Sequence, residues 1–333
     1  MAKVAICIPT YNQAKYLTQS VSSACEQTNP NVEVWVSDDA STDNTPQIMA
    51  ELCRLPQVRY HRHTHNLGIA ANNNWLLSQP KTEFIVRLDS DDILSPDYVK
   101  RLLELLSEYP KAGYAHAAVR EIDEHGKTRR LRHLGKRDRF QDAQSALQAA
   151  IFGYRVAANI CMFRSSVLHQ LNFYRPGMNF CEDWDLSVRI ADAGWGNVYS
   201  SEVLACYRVW DDALQVRPKR KEAELRGMIQ LYEQSVQPAF ERRGWDTHII
   251  HHQRCQMAIN HAIALDSPVF AHHEQATIVE LLQKLGESPA LQRRLRLVRW
   301  GFGSYFRWYS TIELQLKDLI KQWLTRLPKQ LVN

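Results

Sequence analysis

The amino-acid sequence predicts an α/β protein: a mostly parallel sheet flanked by helices, followed by an α-helical C-terminal region. Three observations predict it. Short apolar runs alternate with helical patterns over the first 120 residues, which implies parallel pairing in a doubly wound sheet. Two acidic clusters directly follow apolar runs, and open α/β sheets bind ligands outside the carboxyl ends of their strands. After about residue 215 strand signals stop, so the expected domains are 1–215 and 216–333.

Each element has its own signal. Val4 to Ile8 is an apolar run ending at Pro9 and reads as a buried strand. Residues 14–26 are polar, with Leu17, Val21 and Ala24 at helical spacing. Val32 to Val36 is a second, β-branched strand. Thr45-Pro46 places an N-cap before a proline at the first helical position. Val58 to Tyr60 predicts a third strand, and a helix follows Gly68 to about Leu77. Phe84 to Leu88 is a fourth strand; Ser95-Pro96-Asp97 then opens a leucine-rich helix to about Ser107. Gly113 to Val119 is a fifth strand, residues 127–139 a basic loop, and 182–193 a helix. Further helices are expected over 219–243, 248–265, 273–285 and 311–327.

Composition narrows the class. Of 333 residues, 45% are hydrophobic and 23% charged, which excludes a disordered or fibrous chain. The net charge of +5 is unevenly spread: residues 1–215 carry −2, 216–290 zero and 291–333 +7. Seven cysteines at irregular positions, with no CxxC pair, form neither a disulfide framework nor a zinc ribbon. The opening Met-Ala-Lys-Val-Ala-Ile has no signal-peptide core, and no run of about 18 uncharged apolar residues occurs. These features predict a cytoplasmic protein.

The acidic clusters carry the chemistry. Asp38 and Asp39 follow the second strand, where turn and cap residues are also common. Asp89-Ser90-Asp91-Asp92 follows the fourth, yet Ser95-Pro96-Asp97 already supplies the helix start. Three carboxylates within four residues repel one another unless a cation is bound. Such a pair of oxygen ligands suits Mg²⁺ or Mn²⁺ completed by substrate phosphates. Glu182-Asp183-Trp184-Asp185 opens a helix, where the macrodipole favours acids and Asp185 can pair with Arg189 on the surface. A metal–diphosphate site also needs a separate general base, and this cluster offers one.

Together these residues resemble the inverting glycosyltransferases of family 2, with the GT-A (Rossmann-like) fold. Ile8-Pro9-Thr10-Tyr11-Asn12 resembles the first nucleotide-binding turn and Val36-Ser37-Asp38-Asp39-Ala40-Ser41 the second. Asn66-Leu67-Gly68 is similar to the loop beside the donor, Leu88-Asp89-Ser90-Asp91-Asp92 to the metal-binding DxD motif, and Glu182-Asp183-Trp184-Asp185 to the ED motif. The resemblance implies that Pro9, Thr10, Tyr11, Asp38, Asn66, Gly68, Asp89 and Ser90 bind the nucleotide, with Asp38 favouring uracil. It implies that Asp91 and Asp89 hold Mn²⁺ or Mg²⁺ and that Asp183 is the catalytic base. Glu182, Asp185, Asp211 and Trp210 are additional candidates. Two departures stand out. Ala71-Asn72-Asn73-Asn74 lacks an arginine that many relatives have there. Tyr207-Arg208 is followed by Trp210-Asp211-Asp212 where many have a metal-contacting histidine, so Asp211 or Asp212 would substitute, and Trp210 would be a sugar platform or core.

The expected partners are a nucleotide-sugar donor and a glycan or lipid-linked acceptor. Residues 127–139 hold seven Lys or Arg and one Asp, a solvated loop or a site for an anionic acceptor. Residues 291–333 mix arginines with Trp300, Phe302, Tyr305, Phe306 and Trp308, and suit an anionic membrane surface. The alternative is that this end packs on its own domain or on a second copy in a homodimer. Widely spaced basic clusters without a binding module argue against nucleic acid. A non-catalytic sugar-nucleotide-binding relative is the second reading. A nucleotidyltransferase or dehydrogenase ranks third, because Ile8-Pro9-Thr10-Tyr11 lacks the glycine-rich phosphate loop.

Overall fold

The computed structural model describes residues 3–210, 220–266 and 270–302. Packing sorts the chain into two units: Met1–Ala213 with Gln230–Thr247, and Leu214–Ile229 with His248–Asn333.

The first unit opens with β1 (Val4–Thr10), α1 (Ala14–Cys25), β2 (Val32–Asp38), α2 (Thr45–Leu52), β3 (Val58–Arg62), α3 (Ile69–Ser78) and β4 (Phe84–Arg87). Then come β5 (Ile93–Leu94), α4 (Tyr98–Glu108), β6 (Ala112–Ile122), β7 (Thr128–Arg132), β8 (Arg139–Gln141) and α5 (Ala143–Ala150). It continues with β9 (Cys161–Arg164), α6 (Ser165–Gln170), α7 (Glu182–Asp192) and β10 (Gly196–Arg208). One sheet runs β3-β2-β1-β4-β9-β6-β10-β5, with β7 beside β6 and β8 beside β10. β1, β2, β3 and β4 are parallel neighbours, as the alternation predicts. β9 inserts antiparallel between β4 and β6, so the sheet is mixed beyond β4.

Burial on both faces explains the continuous apolar runs. Val4, Ile6 and Ile8 join the core under α1 and α4 with Leu17, Val21, Leu102 and Leu106. Ala5, Cys7 and Ile85 face the other way, into a core with Leu76, Leu77, Leu186 and Ile190. Strand order reverses between β1 and β4, so the carboxyl ends of β1, β2 and β4 converge at a switch point, the usual ligand crevice.

Two expectations need correction. Residues 127–139 are not all loop: β7 pairs antiparallel with Val119 to Ile122 of β6, beyond the end of short β9, and β8 begins at Arg139. Thr-Arg-Arg-Leu-Arg has no apolar alternation, so no sequence pattern marks it as a strand. β10 is likewise unmarked, because register shifts between Ser200 and Ala205 break its period.

The long helix expected over 219–243 is α8 (Lys221–Leu231), a π turn (Tyr232–Val236) and α9 (Gln237–Glu241). In the second unit, α10 (His248–His261) packs against α11 (His272–Leu285) and against α12 (Pro289–Leu297), and Ile250, Leu282 and Leu291 on these helices are buried. Gly286 permits this closeness: a Cβ there would lie 2.4 Å from the Cys255 nitrogen. All seven cysteines are free thiols. No helix among the described residues is long and apolar enough to cross a membrane. Asp211, Asp212 and the helix expected over 311–327 lie outside the described residues.

Candidate active site

The ends of β1 and β2 are laced together. Ser41 Oγ accepts the Asn12 amide at 2.9 Å, and Asn12 Oδ1 accepts the Thr42 amide at 2.8 Å. Pro9 and Thr10 end β1; Thr10 is buried with no partner for its hydroxyl, and Tyr11 is 47% exposed. Asp38 is fully buried. It accepts from the Ser41 amide (2.8 Å) and the Tyr60 hydroxyl (2.7 Å), so its oxygens brace the turn from inside. Asp39, part of the second turn motif but given no binding role by the resemblance, accepts the Leu67 and Gly68 amides at 2.7 and 3.0 Å. Asn66 Oδ1 also accepts the Gly68 amide, at 3.1 Å. This loop needs Gly68, whose φ of 85° puts it in the left-handed region. Pro9, Thr10, Tyr11, Asn66 and Gly68 thus gather around the ends of β1 and β2.

Asp89, Ser90 and Asp91 leave β4 beside them. Asp89 is partly exposed and accepts Arg87 Nη2 at 2.8 Å. Asp91 Oδ2 accepts the Trp210 indole N–H at 2.8 Å, and Arg208 Nε donates to the Asp91 carbonyl at 2.8 Å. Burial and the neighbouring Asp89 push the Asp91 carboxyl above its ordinary range, while the indole pulls it back. Asp92 lies deeper, with Oδ1 on the Arg208 amide (2.8 Å) and Oδ2 buried without a partner among the described residues. Burial, with Asp91 and Asp89 adding repulsion, raises its carboxyl well above the ordinary range.

This concentration of negative charge suits a divalent cation. Among the described residues, Asp89 Oδ2 and Asp91 Oδ1 have no hydrogen-bond partner on another side chain. Among the described residues no third His, Cys, Asp or Glu completes a metal-binding group. Two carboxylates with the remaining ligands taken from phosphate and water match Mg²⁺ or Mn²⁺ chemistry.

The ED cluster joins this site through Arg87. Asp183 opens α7, where the helix dipole favours an anion. Its Oδ1 accepts the Tyr174 hydroxyl at 2.7 Å, and Arg87 Nη1 lies 3.3 Å from Oδ2. Arg87 is 3% exposed and bridges Asp89 and Asp183. Burial raises the Asp183 carboxyl, against the opposing pull of Arg87 and Tyr174. Beside it, burial and Asp183 push Glu182 up to about 7.

Asp185 is different. It is fully buried and bonded to Arg189 (2.7 Å), Arg175 and Ser235, so its expected pair with Arg189 forms inside the fold, not on the surface. Trp210 has its indole N–H on Asp91 and its ring edge-on to Tyr16 at 5.0 Å.

Sequence reasoning missed Arg87 and Tyr174. The asparagines standing where many relatives have arginine also act here. Asn74 Nδ2 donates to the Tyr174 carbonyl and its Oδ1 accepts the Tyr174 amide, both at 2.9 Å, which steadies the tyrosine holding Asp183. Only the unusual position of Arg87, a charge inside an apolar strand, could have flagged it.

The switch point flanked by Asp89 and Asp91, with Asp183 at a helix start, lies in a GT-A fold, and solved structures share that fold. TarS 1–349 of S. aureus, in complex with UDP-GlcNAc, matches with a TM-score of 0.57 at 15% identity, covering 90% of this chain and 92% of that one. The mannosyltransferase PcManGT from Pyrobaculum calidifontis, in complex with GDP-Man and Mn²⁺, matches with a TM-score of 0.57 at 17% identity, covering 98% and 88%. Within that class the family is specific: the Glycosyl transferase family 2 model matches residues 5–189, and the chain belongs to this family. The chondroitin synthase of Escherichia coli is 36% identical over 124 residues, 37% of this chain and 18% of that protein. The chain spans less than a fifth of the length of the first curated relatives it matches.

Proposed function

We propose that the protein is a metal-dependent, inverting glycosyltransferase that moves a sugar from a UDP-sugar to a hydroxyl of a glycan or lipid-linked acceptor. The observation that carries this reading is Arg87. One buried guanidinium ties the DxD carboxylate Asp89 to the candidate base Asp183, which holds a donor site and a deprotonation site in fixed relation. Family membership and the UDP-GlcNAc complex of TarS support the donor class. Pro9, Thr10, Tyr11, Asn66, Gly68 and Ser90 would form the nucleotide pocket, with Tyr11 exposed for stacking on the base and Asp38 bracing the floor.

Asp89 and Asp91 would hold Mn²⁺ or Mg²⁺, which when bound neutralises charge on the leaving diphosphate. Asp183 takes the proton of the acceptor hydroxyl. The oxygen attacks the anomeric carbon opposite the diphosphate, forming the new glycosidic bond as the sugar–phosphate bond breaks, and no enzyme-bound intermediate is needed. Arg87 favours the ionised form of Asp183 and Tyr174 aims it. The location that fits is the cytoplasmic membrane face, with residues 291–333 as the contact; Trp300 and Phe302 are 72% and 52% exposed.

A panel of sugar nucleotides with Mn²⁺ or Mg²⁺, read by nucleoside diphosphate release, tests the proposal. UDP release is expected from at least one donor. Asp183→Asn should lower transfer by about 10²–10⁴-fold, the usual worth of a general base, and Asp91→Asn should abolish it. Transfer that survives Asp183→Asn would remove the assigned base.

A further inference from the structure

The basic segment Lys127–Arg139 lies on the same face of the sheet as the candidate base. Arg87, Cys161, His116 and Tyr199 are register partners across β4, β9, β6 and β10. Register partners project from one face, so Tyr199 shares the face of Arg87 at three strand spacings, about 14 Å. The rings of His116 and Tyr199, 5.3 Å apart, confirm the shared side. The Tyr199 phenol accepts the Leu134 amide at 3.1 Å and donates to the Gly135 carbonyl at 3.4 Å. The middle of the basic segment is therefore pinned over the face that carries Arg87 and Asp183.

The turn before its near end is tied to the Asp89–Asp91 motif through Arg208. β7 pairs with the carboxyl-end half of β6, and the Asp123 carbonyl at the preceding turn accepts Arg208 Nη1 at 2.9 Å. The same Arg208 donates to the Asp91 carbonyl. Its far end is fastened where Arg139 of β8 stands opposite Tyr199.

The charges along this track are mostly unspent. Arg130 pairs with Glu121 at 3.0 Å, and Arg132 lies over the Tyr207 ring. The one acid, Asp138, is held by Arg101 and Ser201. Lys127, Lys136, Arg137 and Arg139 are exposed and make no ion pair among the described residues. We propose that this segment is the acceptor platform of the enzyme and binds an anionic glycan chain, whose acidic groups pair with these cations while its end reaches Asp183. This rests on the transferase reading above. Guanidinium groups are suited to carboxylate and sulfate alike. The segment carries no Phe, Tyr or Trp for stacking nucleobases, and its two exposed leucines, Leu131 and Leu134, make no amphipathic helix face for a membrane.

The test uses the full chain and a triple variant, Lys136→Ala with Arg137→Ala and Arg139→Ala. Fluorescence anisotropy reads the binding of labelled oligogalacturonate, a labelled sulfated oligosaccharide and labelled maltohexaose, at low and physiological salt. Nucleoside diphosphate release from the donor to water is measured on both proteins. The wild type should bind one of the two anionic probes but not maltohexaose. The variant should bind that probe about tenfold more weakly, as three surface ion pairs are lost, with donor turnover unchanged. The probe that binds identifies the acidic group. Equal binding by wild type and variant, equal binding of maltohexaose, or capture of anionic phospholipid vesicles but neither anionic probe through these residues overturns the platform. Absence of donor turnover in the wild type overturns the transferase reading instead, and the binding measurement still stands.

Discussion

Arg87 decides how the two halves of the candidate site relate. A guanidinium in an apolar interior is tolerated only when its charge is matched, and here Asp89 and Asp183 match it. Replacing it with methionine leaves both carboxylates without their cation. Arg87→Met should cost about 3–5 kcal/mol of stability by urea unfolding, the usual result of breaking a buried ion pair. It should also move the acid limb of the pH–rate profile upward. As the proposed base, Asp183 works only when ionised; Arg87 favours that form, and without Arg87 only the Tyr174 hydrogen bond opposes the burial that raises its carboxyl. A profile that stays in place would show that Arg87 acts on the fold alone. Trp210 offers a second residue-scale test. Trp210→Phe keeps an aromatic ring beside Tyr16 but removes the hydrogen bond to Asp91. Because Asp91 is a proposed metal ligand, loss of the partner that orients it should weaken apparent Mn²⁺ affinity about tenfold or more, measured as the Mn²⁺ concentration giving half-maximal turnover.

At the scale of elements, β10 organises the far side of the sheet. It pairs with β6 along its whole length, with β5 near its end and with β8 near its start. Gly196 makes the last pairing possible, because a Cβ there would meet the Gln141 carbonyl at 2.3 Å and the Phe140 ring at 2.9 Å. Gly196→Ala should cost about 1–3 kcal/mol, the range for overpacking, seen as a lower urea midpoint. Because β8 fastens the far end of the basic segment, the same variant should weaken binding of the anionic probe. α7 shows how one short element divides its labour. Asp183 at its second position faces Arg87 and Tyr174, while Asp185, two residues on, is bound to Arg175 and Arg189. Spacing along a helix turns neighbouring acids to different surroundings.

At the scale of the whole molecule, the charge of +5 separates along the chain into −2 over residues 1–215, which include the acidic clusters and the basic segment 127–139, zero over 216–290, and +7 over the aromatic end 291–333. Leu291 and Leu295 are buried in the second unit, so removing all of residues 291–333 would damage packing as well as any membrane contact. The cleaner test deletes 303–333. The full chain should float with vesicles containing anionic lipid, and the shortened chain should remain at the bottom of the gradient. Equal flotation of both would remove the membrane reading.

Local sequence pattern is enough to place the parallel β1–β4 layout and the sites where chemistry gathers. Both are local: apolar runs reveal buried strands, and the acids lie within a few residues of a strand end or a helix start. Only the tertiary structure decided what each acid does. Asp38, Asp39 and Asp185 look like Asp89 and Asp183 in one dimension. The first three have their oxygens on Ser41 and Tyr60, on Leu67 and Gly68, and on Arg175 and Arg189, while the last two meet at Arg87. The deciding partnerships among these join residues far apart in the chain: 22 positions between Asp38 and Tyr60, 28 between Asp39 and Leu67, and 96 between Arg87 and Asp183. The same holds for β7 and the basic segment. Its polar residues show no period of their own, and β6, beyond the end of β9, supplies the hydrogen-bonding edge that makes it a strand. Local pattern records burial and chain reversal; the pairing of distant charges is set only when the sheet brings their strands together.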